Sequence, residues 1–364
     1  MSFLSIHSYL GNMHKRARKI GGLLGLLVML NPCQDAWGQY SWDVGIAAGT
    51  GNYLGDIGGG EQTRRDFVAD LHLSQTKFSG HAFARYRRGG LLAVKAQLGV
   101  VRIEDYDNLS TNLARVTRNA HFRNNIYELS LRSEVNLFSR SAITRHTSRT
   151  RVGVNSYALL GITGFLHSPQ ARLDRDAADY HYAQGSIGTN PVLLDYDQWH
   201  NLREFGTETD TYRSGSAGFP IGLGASFIVN YSFRVGVELI WNLTLTDYLD
   251  DVSTTWANPE NLSDIGLILS NPSSPAVAEA AGIADPDAYL NNFRYDDNYS
   301  SPRGNPDRND TYGTLQITLS KVLMTTSDYW NENDNEKKKE RGNTIWKPRG
   351  RPKKEDRIRG KPKV

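Results

Sequence analysis

Apolar and polar residues alternate along eight separate stretches of this 364-residue chain. Tyr40, Trp42, Val44 and Ile46 alternate with Ser41, Asp43, Gly45 and Ala47. In Phe78–Arg87, Ala82, Ala84 and Tyr86 face one way and His81, Arg85 and Arg87 the other. Leu92, Val94, Ala96, Leu98 and Val100 alternate with Ala93, Lys95, Gln97 and Gly99. Tyr127, Leu129, Leu131, Val135 and Leu137 alternate with Glu128, Ser130, Arg132, Glu134 and Asn136. Val152–Phe165 is apolar on both faces and its phase stays open. Phe219, Ile221, Leu223, Ala225 and Phe227 alternate with small residues. Phe233, Val235, Val237, Leu239, Trp241 and Leu243 alternate with Arg234, Gly236, Glu238, Asn242 and Thr244. Leu315, Ile317 and Leu319 alternate with Gln316, Thr318 and Ser320. A strand that separates lipid from a polar lumen shows this period of two over about ten residues.

The connections fall into two kinds. Short ones, 88–90, 138–151 and 230–232, follow the even strands. Long ones, 49–77, 104–123, 166–218 and 250–310, follow the odd strands. A membrane barrel has short turns on the periplasmic side and longer loops outside, whereas a soluble sandwich gives no reason for this regularity. The expected fold is therefore all-β: an eight-stranded antiparallel outer-membrane β-barrel with long extracellular loops. On this reading Phe233–Leu245 climbs to the outer surface and Thr246–Val252 (TDYLDDV) is where it leaves the membrane. Tyr248 is expected in the interfacial aromatic girdle, with the acids of this stretch in the water above it.

Composition agrees. The chain has 34 Gly, 7 Trp, 18 Tyr and 12 Phe, and a mean hydropathy of −0.51, which excludes a bundle of membrane helices. Lys15, Arg16, Arg18 and Lys19 precede an apolar run, Ile20–Leu30, too short to span a bilayer. Small residues at Ala36 and Gly38 suit cleavage before Gln39, so residues 1–38 read as a signal peptide. Cys33 is the single cysteine, so no internal disulfide can form. Lipidation of Cys33 is the alternative to its loss with the signal, and Pro32 just before it weighs against that.

The formal charge of +3 lies in residues 1–38, while Lys337–Val364 holds 13 basic residues against Glu340, Glu355 and Asp356. Few apolar and many charged residues make 327–364 an expected disordered, basic, periplasmic tail. Lys337, Lys338, Lys339, Arg349, Arg351, Lys353 and Lys354 are its candidate interaction residues. The three domains expected are thus 1–38, 39–326 (the barrel) and 327–364.

Sites of chemistry are few. Gly49–Gly55 has the spacing GxGxxxG with no helix after it, so the dinucleotide fingerprint fails. Asp247, Asp250 and Asp251 do not match an EF-hand, and whether they bind calcium stays open. The histidines show no HExxH pair, and no GxSxG elbow is present. No catalytic, cofactor or metal site is expected. KPRGRPKK has the look of a DNA-binding hook, but a secreted barrel does not meet chromatin and no nucleic-acid partner is expected.

Trp42–Ile57 (WDVGIAAGTGNYLGDI), Arg123–Phe138 (RNNIYELSLRSEVNLF) and Phe219–Val252 (FPIGLG … TDYLDDV) resemble the PorG family of outer-membrane barrel proteins of the Bacteroidetes type IX secretion system. The resemblance runs over about residues 40–325 and is most specific in Asn52, Tyr53, Leu54, Gly55 and Asp56 and in Thr246, Asp247, Tyr248, Leu249, Asp250 and Asp251. It is weakest in the third and fourth long loops and in the tail. It implies a non-enzymatic component of that machinery, set in outer-membrane lipid, that anchors or positions a periplasmic ring made of a lipoprotein and its partner subunit. A stand-alone surface adhesin or small-ligand binder is the alternative, and a membrane-embedded hydrolase or acyltransferase would need catalytic groups clustered at one rim.

Overall fold

A computed structural model describes residues 41–58, 73–88, 91–143, 151–228, 233–294 and 301–323. The expected signal peptide and basic tail lie outside the described residues.

The eight expected strands are all present: β1 Ser41–Leu54, β2 Lys77–Arg88, β3 Leu92–Tyr106, β4 His121–Ile143, β5 Arg151–Leu166, β6 Gly215–Ile228, β7 Phe233–Thr244 and β8 Thr311–Leu323. Each pairs antiparallel with its sequence neighbours, and β1 pairs with β8 from Trp42 opposite Leu323 to Leu54 opposite Thr311. The sheet is therefore closed. Closure pairs the strand-edge N–H and C=O groups that lipid could not satisfy.

Side chains sort across this wall as the alternation requires. Ile46, Leu98, Leu129, Ile162, Leu223, Leu239 and Ile317 all face outward and are exposed, at 56–62%. Their neighbours Asp43, Arg85, Lys95, Glu128, Arg132, Glu134, Glu238 and Gln316 face inward and are almost completely buried. An apolar exterior around a charged interior inverts the arrangement of a soluble domain and defines a membrane-spanning barrel of the outer-membrane type. Trp42 and Tyr86 pack ring to ring, 4.9 Å apart, on the lipid-facing side near one end, as interfacial aromatics do.

The phase of β5 is settled by the same test. Gly153, Tyr157, Leu159, Thr163 and Phe165 point inward, and Leu160, Ile162 and Leu166 outward. This strand is apolar on both faces because Tyr157 and Leu159 meet Ile240 of β7 in a small apolar cluster inside the barrel.

Three connections are shorter than the alternation suggests. β1 continues to Leu54 and β3 to Tyr106, which pairs with His121 at the start of β4. The ladders thus extend past the apolar belt, where polar side chains no longer show the period. At the other end β4 runs to Ile143. A bulge between Asn136 and Phe138 turns both Leu137 and Phe138 outward and breaks the alternation there.

Charged groups fill the lumen. Lys95 Nζ sits 2.8 and 2.7 Å from the two carboxylate oxygens of Glu238, and Tyr157 donates to Glu238 Oε1 at 2.7 Å. Arg85 reaches Glu134 (3.0 Å), Glu238 (3.1 Å) and Asp43 (3.3 Å) at once. One layer further out, Glu128 takes hydrogen bonds from Tyr312 (2.5 Å) and Arg132 (3.2 Å) and lies 3.2 Å from His81. An eight-stranded barrel is just wide enough for its interior to be filled this way.

Removing one partner from such a cluster leaves a buried charge unpaired. Glu238→Ala is expected to destabilise the folded barrel by about 3–5 kcal/mol, because Lys95 and Arg85 lose their shared carboxylate. Leu131→Arg, which puts a cation into the apolar belt, is expected to cost about 2–4 kcal/mol. Urea unfolding in lipid vesicles reads both; unchanged midpoints would contradict the inside–outside assignment.

Candidate functional site

The two segments in which the family resemblance is most specific meet at the outer mouth of the barrel. Tyr53 ends β1, Asp250 lies six residues past the end of β7, and Asp310 immediately precedes β8. Tyr53 Oη is 2.6 Å from Asp250 Oδ2 and 2.7 Å from Asp310 Oδ1, and it accepts the backbone N–H of Asp56 at 2.9 Å. All three side chains are buried. Gly55 is required here: a Cβ at that position would overlap both the Tyr53 hydroxyl and the Asp310 carboxylate.

Around this centre each strand end is tied to another. Asp250 accepts the N–H of Ile57 (3.0 Å) and of Val252 (2.9 Å), and Asp310 Oδ2 accepts that of Leu249 (3.0 Å). Asp56 Oδ2 accepts from the N–H of Asn305 at 2.7 Å. Arg118, at the end of helix α1 (Leu113–Arg118), bonds Asp107 through two nitrogens (2.6 and 2.9 Å) and donates to the carbonyls of Asp56 (2.8 Å) and Arg303 (2.7 Å). Beneath lies an apolar plug that includes Ile57, Val101, Ile103, Phe122, Ile126, Phe165, Leu249 and Val252.

Asp251 turns the other way. Its φ of 74° is in the left-handed region, which Asp tolerates better than most residues. Its carboxylate is held by Thr207, by Tyr212 (2.5 Å) and by Arg303 (3.4 Å). Glu208 accepts from the N–H groups of Ser253 and Thr254, both at 2.9 Å, and from Arg303 at 3.2 Å. Above the knot, the third and fourth outer loops form a cap with its own core. Helices α2 (Arg175–Ala183), α3 (Leu202–Phe205) and α4 (Asp264–Ser270) bring Ala177, Ala178, Leu202, Leu267, Ile268 and Leu269 together. Asp174 and Ser263 cap the first and third of these helices. Helices α5 (Pro275–Ala280) and α6 (Pro286–Arg294) complete the fourth loop.

This corrects the expectation for the TDYLDDV stretch. Asp247, Asp250 and Asp251 are not in water but 6%, 0% and 1% exposed. Tyr248 is half-buried and stacks on Tyr212 at 4.4 Å, which stacks in turn on His167 at 6.1 Å, rather than standing in a lipid girdle. The alternation ends at Thr244, and beyond it the chain folds inward over the lumen instead of rising into solvent. The motif residues Tyr53, Leu54, Gly55, Asp56, Leu249, Asp250 and Asp251 share one buried structure. Asn52 bonds Thr76 at its edge (2.9 Å), and the Thr246 carbonyl accepts from the N–H of Asp310 (3.0 Å). The tail residues from Lys337 to Lys354 lie outside the described residues. Asp107, Arg118, Glu208, Arg303 and Asp310 were not singled out from the sequence. They are isolated residues in the connections between strands, and nothing in the local pattern marks them.

The centre obeys a proton count. Tyr53 has one hydroxyl proton and two lone pairs. One lone pair takes the Asp56 N–H. Asp250 Oδ2 and Oδ1 both already accept backbone N–H groups, so it acts as the anion that receives the Tyr53 proton. The close approach of Asp310 Oδ1 is then satisfied only if Asp310 is protonated and donates to the remaining lone pair. Burial, and next the charge of Asp250, push the Asp310 carboxyl well above the ordinary range. Burial and then Asp56 also push Asp250 up, against the Tyr53 and Val252 hydrogen bonds and Arg118. Burial raises Asp251 to about 6 despite Arg303. Asp250 and Asp251 point to different partners, and among the described residues no group of three or more His, Cys, Asp or Glu is placed to hold a metal ion. Asp56, Asp250, Asp251, Asp310 and Glu208 each accept hydrogen bonds that hold the chain.

With this geometry in view, comparison with known proteins adds the following. The family described as a domain of unknown function, DUF6089, matches residues 23–193, from before β1 into the third outer loop. No curated protein matches. Among solved structures the chain is similar to Ail, the attachment invasion locus protein of Yersinia pestis, in complex with the heparin analogue sucrose octasulfate. The identity is 8% and the TM-score 0.28, over 79% of this chain and 99% of that one. It is also similar to Neisserial surface protein A, at 9% identity and a TM-score of 0.25, over 79% and 97%. The assignment as a membrane barrel rests on this chain's own apolar belt and filled lumen.

The raised carboxyls set the sign of a pH effect. A group whose folded pKa lies above its unfolded value favours the folded cap fully below the ordinary carboxylate range, near 4. That contribution is lost as pH rises, through about 6 for Asp251 and at higher pH for the Asp250–Asp310 pair. Hydrogen exchange of residues 53–58 and 246–254 is expected to be slow at pH 5 and faster at pH 8.5, after correction for the intrinsic rate. Asp310→Asn, whose amide can donate to Tyr53 and accept from Leu249, is expected to flatten that dependence. A profile that rises in protection with pH would contradict the proton count.

Proposed function

We propose that this chain is a non-enzymatic, non-conducting anchor in the outer membrane, and that it serves type IX protein secretion by positioning the periplasmic ring of that machine. The observation that carries this reading is that the segments resembling the PorG family are the ones that close the barrel mouth. Among the described residues, charged pairs fill the lumen and a buried knot seals its outer end, so cargo has no path through it. A sealed barrel acts through what it binds.

The motif residues are consumed inside the plug, so contact with the ring lipoprotein and its partner subunit falls to the periplasmic face. β1 begins and β8 finishes side by side, Trp42 opposite Leu323, at the same end of the barrel as the short turns. On this reading a signal peptide delivers the chain from the periplasm, and residues 327–364 are expected on the ring's side. The cluster Lys337, Lys338, Lys339, Arg349, Arg351, Lys353 and Lys354 then offers charge to an acidic partner surface.

A second reading, a surface binder, is favoured by one observation: the third and fourth outer loops fold into a cap with its own core, more structure than a plug needs. The two separate in one experiment. Cross-linked membranes are solubilised, and the full chain and a version ending at Ser327 are each recovered. Ring proteins recovered with the full chain and lost with the shortened one support both the role and the tail contact. Ring proteins recovered with both keep the role and move the contact to the turns. Recovery with neither, from a folded heat-modifiable barrel, together with normal cargo export after deletion, would overturn the secretion reading in favour of the surface binder.

A further inference from the structure

The outer end of the barrel carries three cations that neither the lumen nor the knot uses. Arg102 of β3 and Arg123 of β4 face the lipid side, since their strand neighbours Val101, Ile103, Phe122 and Asn124 are all fully buried. Arg123 pairs with Glu104 and Arg102 with Asn125, so the two arginines are diagonal neighbours across the ladder. Arg102 is two residues, about 7 Å, beyond Val100. Val100 is the last apolar residue on the outward face of β3, so Arg102 stands at the upper edge of the apolar belt.

The third outer loop brings the remaining parts. A short strand, Pro169–Ala171, joins the outer end of β4 with Gln170 opposite Arg123, and it pairs in turn with His200–Asn201. This delivers Arg172 and Trp199 to the same place. The guanidinium carbons of Arg123 and Arg172 lie 3.7 and 4.6 Å from the Trp199 ring centroid, a cation–π arrangement. His121 stacks on Tyr106 at 5.7 Å and accepts the N–H of Arg172 at 3.1 Å.

The neighbouring carboxylates are engaged elsewhere. Glu104 takes the Tyr106 hydroxyl (2.6 Å) and pairs with Lys77 (3.3 Å). Asp107 belongs to Arg118, and Asp174 caps α2 and accepts from Asn119. Among the described residues, Arg102, Arg123 and Arg172 form no ion pair. On the same lipid-facing surface, Ala96, Leu129, Leu131, Ile162, Ala217 and Phe219 line an apolar groove of about 570 Å³. Leu129 and Leu131 stand on β4 below Arg123.

We propose that Arg102, Arg123, Arg172 and Trp199 bind the phosphate of an outer-leaflet lipid headgroup, with an acyl chain of that lipid in the groove below. Guanidinium forks match phosphate oxygens in pairs, and Trp199 holds two of the forks against their mutual repulsion. The lipid, rather than a soluble anion, is the occupant because Arg102 and Arg123 face the bilayer and stand over an apolar groove.

The test uses the folded full chain in detergent micelles, native mass spectrometry, and two probes: diphosphoryl lipid A and the same lipid without its phosphates. The wild type is expected to retain one diphosphoryl lipid A and none of the dephosphorylated form. R102Q/R123Q/R172Q is expected to weaken retention about tenfold or more, since several charge-assisted bonds are lost. Trp199→Leu, which leaves every charge in place, is expected to weaken it less. Heat-modifiability on a gel reports that each variant is folded. Equal retention of the two lipids by the wild type, or undiminished retention by the triple variant, would overturn the proposal. So would release of the lipid by millimolar inorganic phosphate, which would make this a site for soluble anions.

Discussion

Lipid cannot hydrogen-bond a backbone, and the rest of this structure depends on that constraint. Every peptide group within the bilayer must find its partner in the chain, which forces a closed sheet. Closure with eight strands leaves a lumen about as wide as its side chains. Charged residues excluded from the lipid face then have one place to go. Arg85, Lys95, Glu134 and Glu238 are there because alternation puts them there, and they stay because each finds an opposite charge within about 3 Å. Such pairs set register more than they add stability: a slip of one residue in any strand would turn its charges into lipid.

The outer mouth solves a different problem. Above the apolar belt the strands end at different heights, and their last N–H groups need acceptors. The knot supplies carboxylates for them from four separate places in the chain, Asp56, Asp107, Asp250 and Asp310. Four acids so close would repel if all were ionised. Arg118 offsets part of that charge, and a proton held between Asp310 and Tyr53 removes more. The arrangement is built for closure, and its chemistry is that of a latch whose hold depends on the protons it keeps.

The strands were legible because lipid on one side and charge on the other impose a period of two that no other environment demands so strictly. All eight were found, and their facing was right wherever one face was polar. β5 was ambiguous because Tyr157 and Leu159 pack against Ile240 inside the barrel, so both faces are apolar. The knot was half legible. The resemblance marked Asn52–Asp56 and Thr246–Asp251 as special, but a run of acids after a strand looks the same in solvent as under a cap. What decides between them is contact with Arg118, Arg303 and Asp310, which lie 50 or more residues from the nearest motif acid they serve and carry no local signal. The cap helices lie in loops that the strand alternation marks only by their length.

The account's central claim is that this barrel is closed, so that its work is done by its surfaces. Single-channel recording of the purified, folded full chain in a planar bilayer tests that most directly. A closed barrel leaves the membrane silent, with no stepwise current at neutral pH. Regular conductance steps from a preparation shown to be folded would mean that the lumen is an open path, and would contradict it.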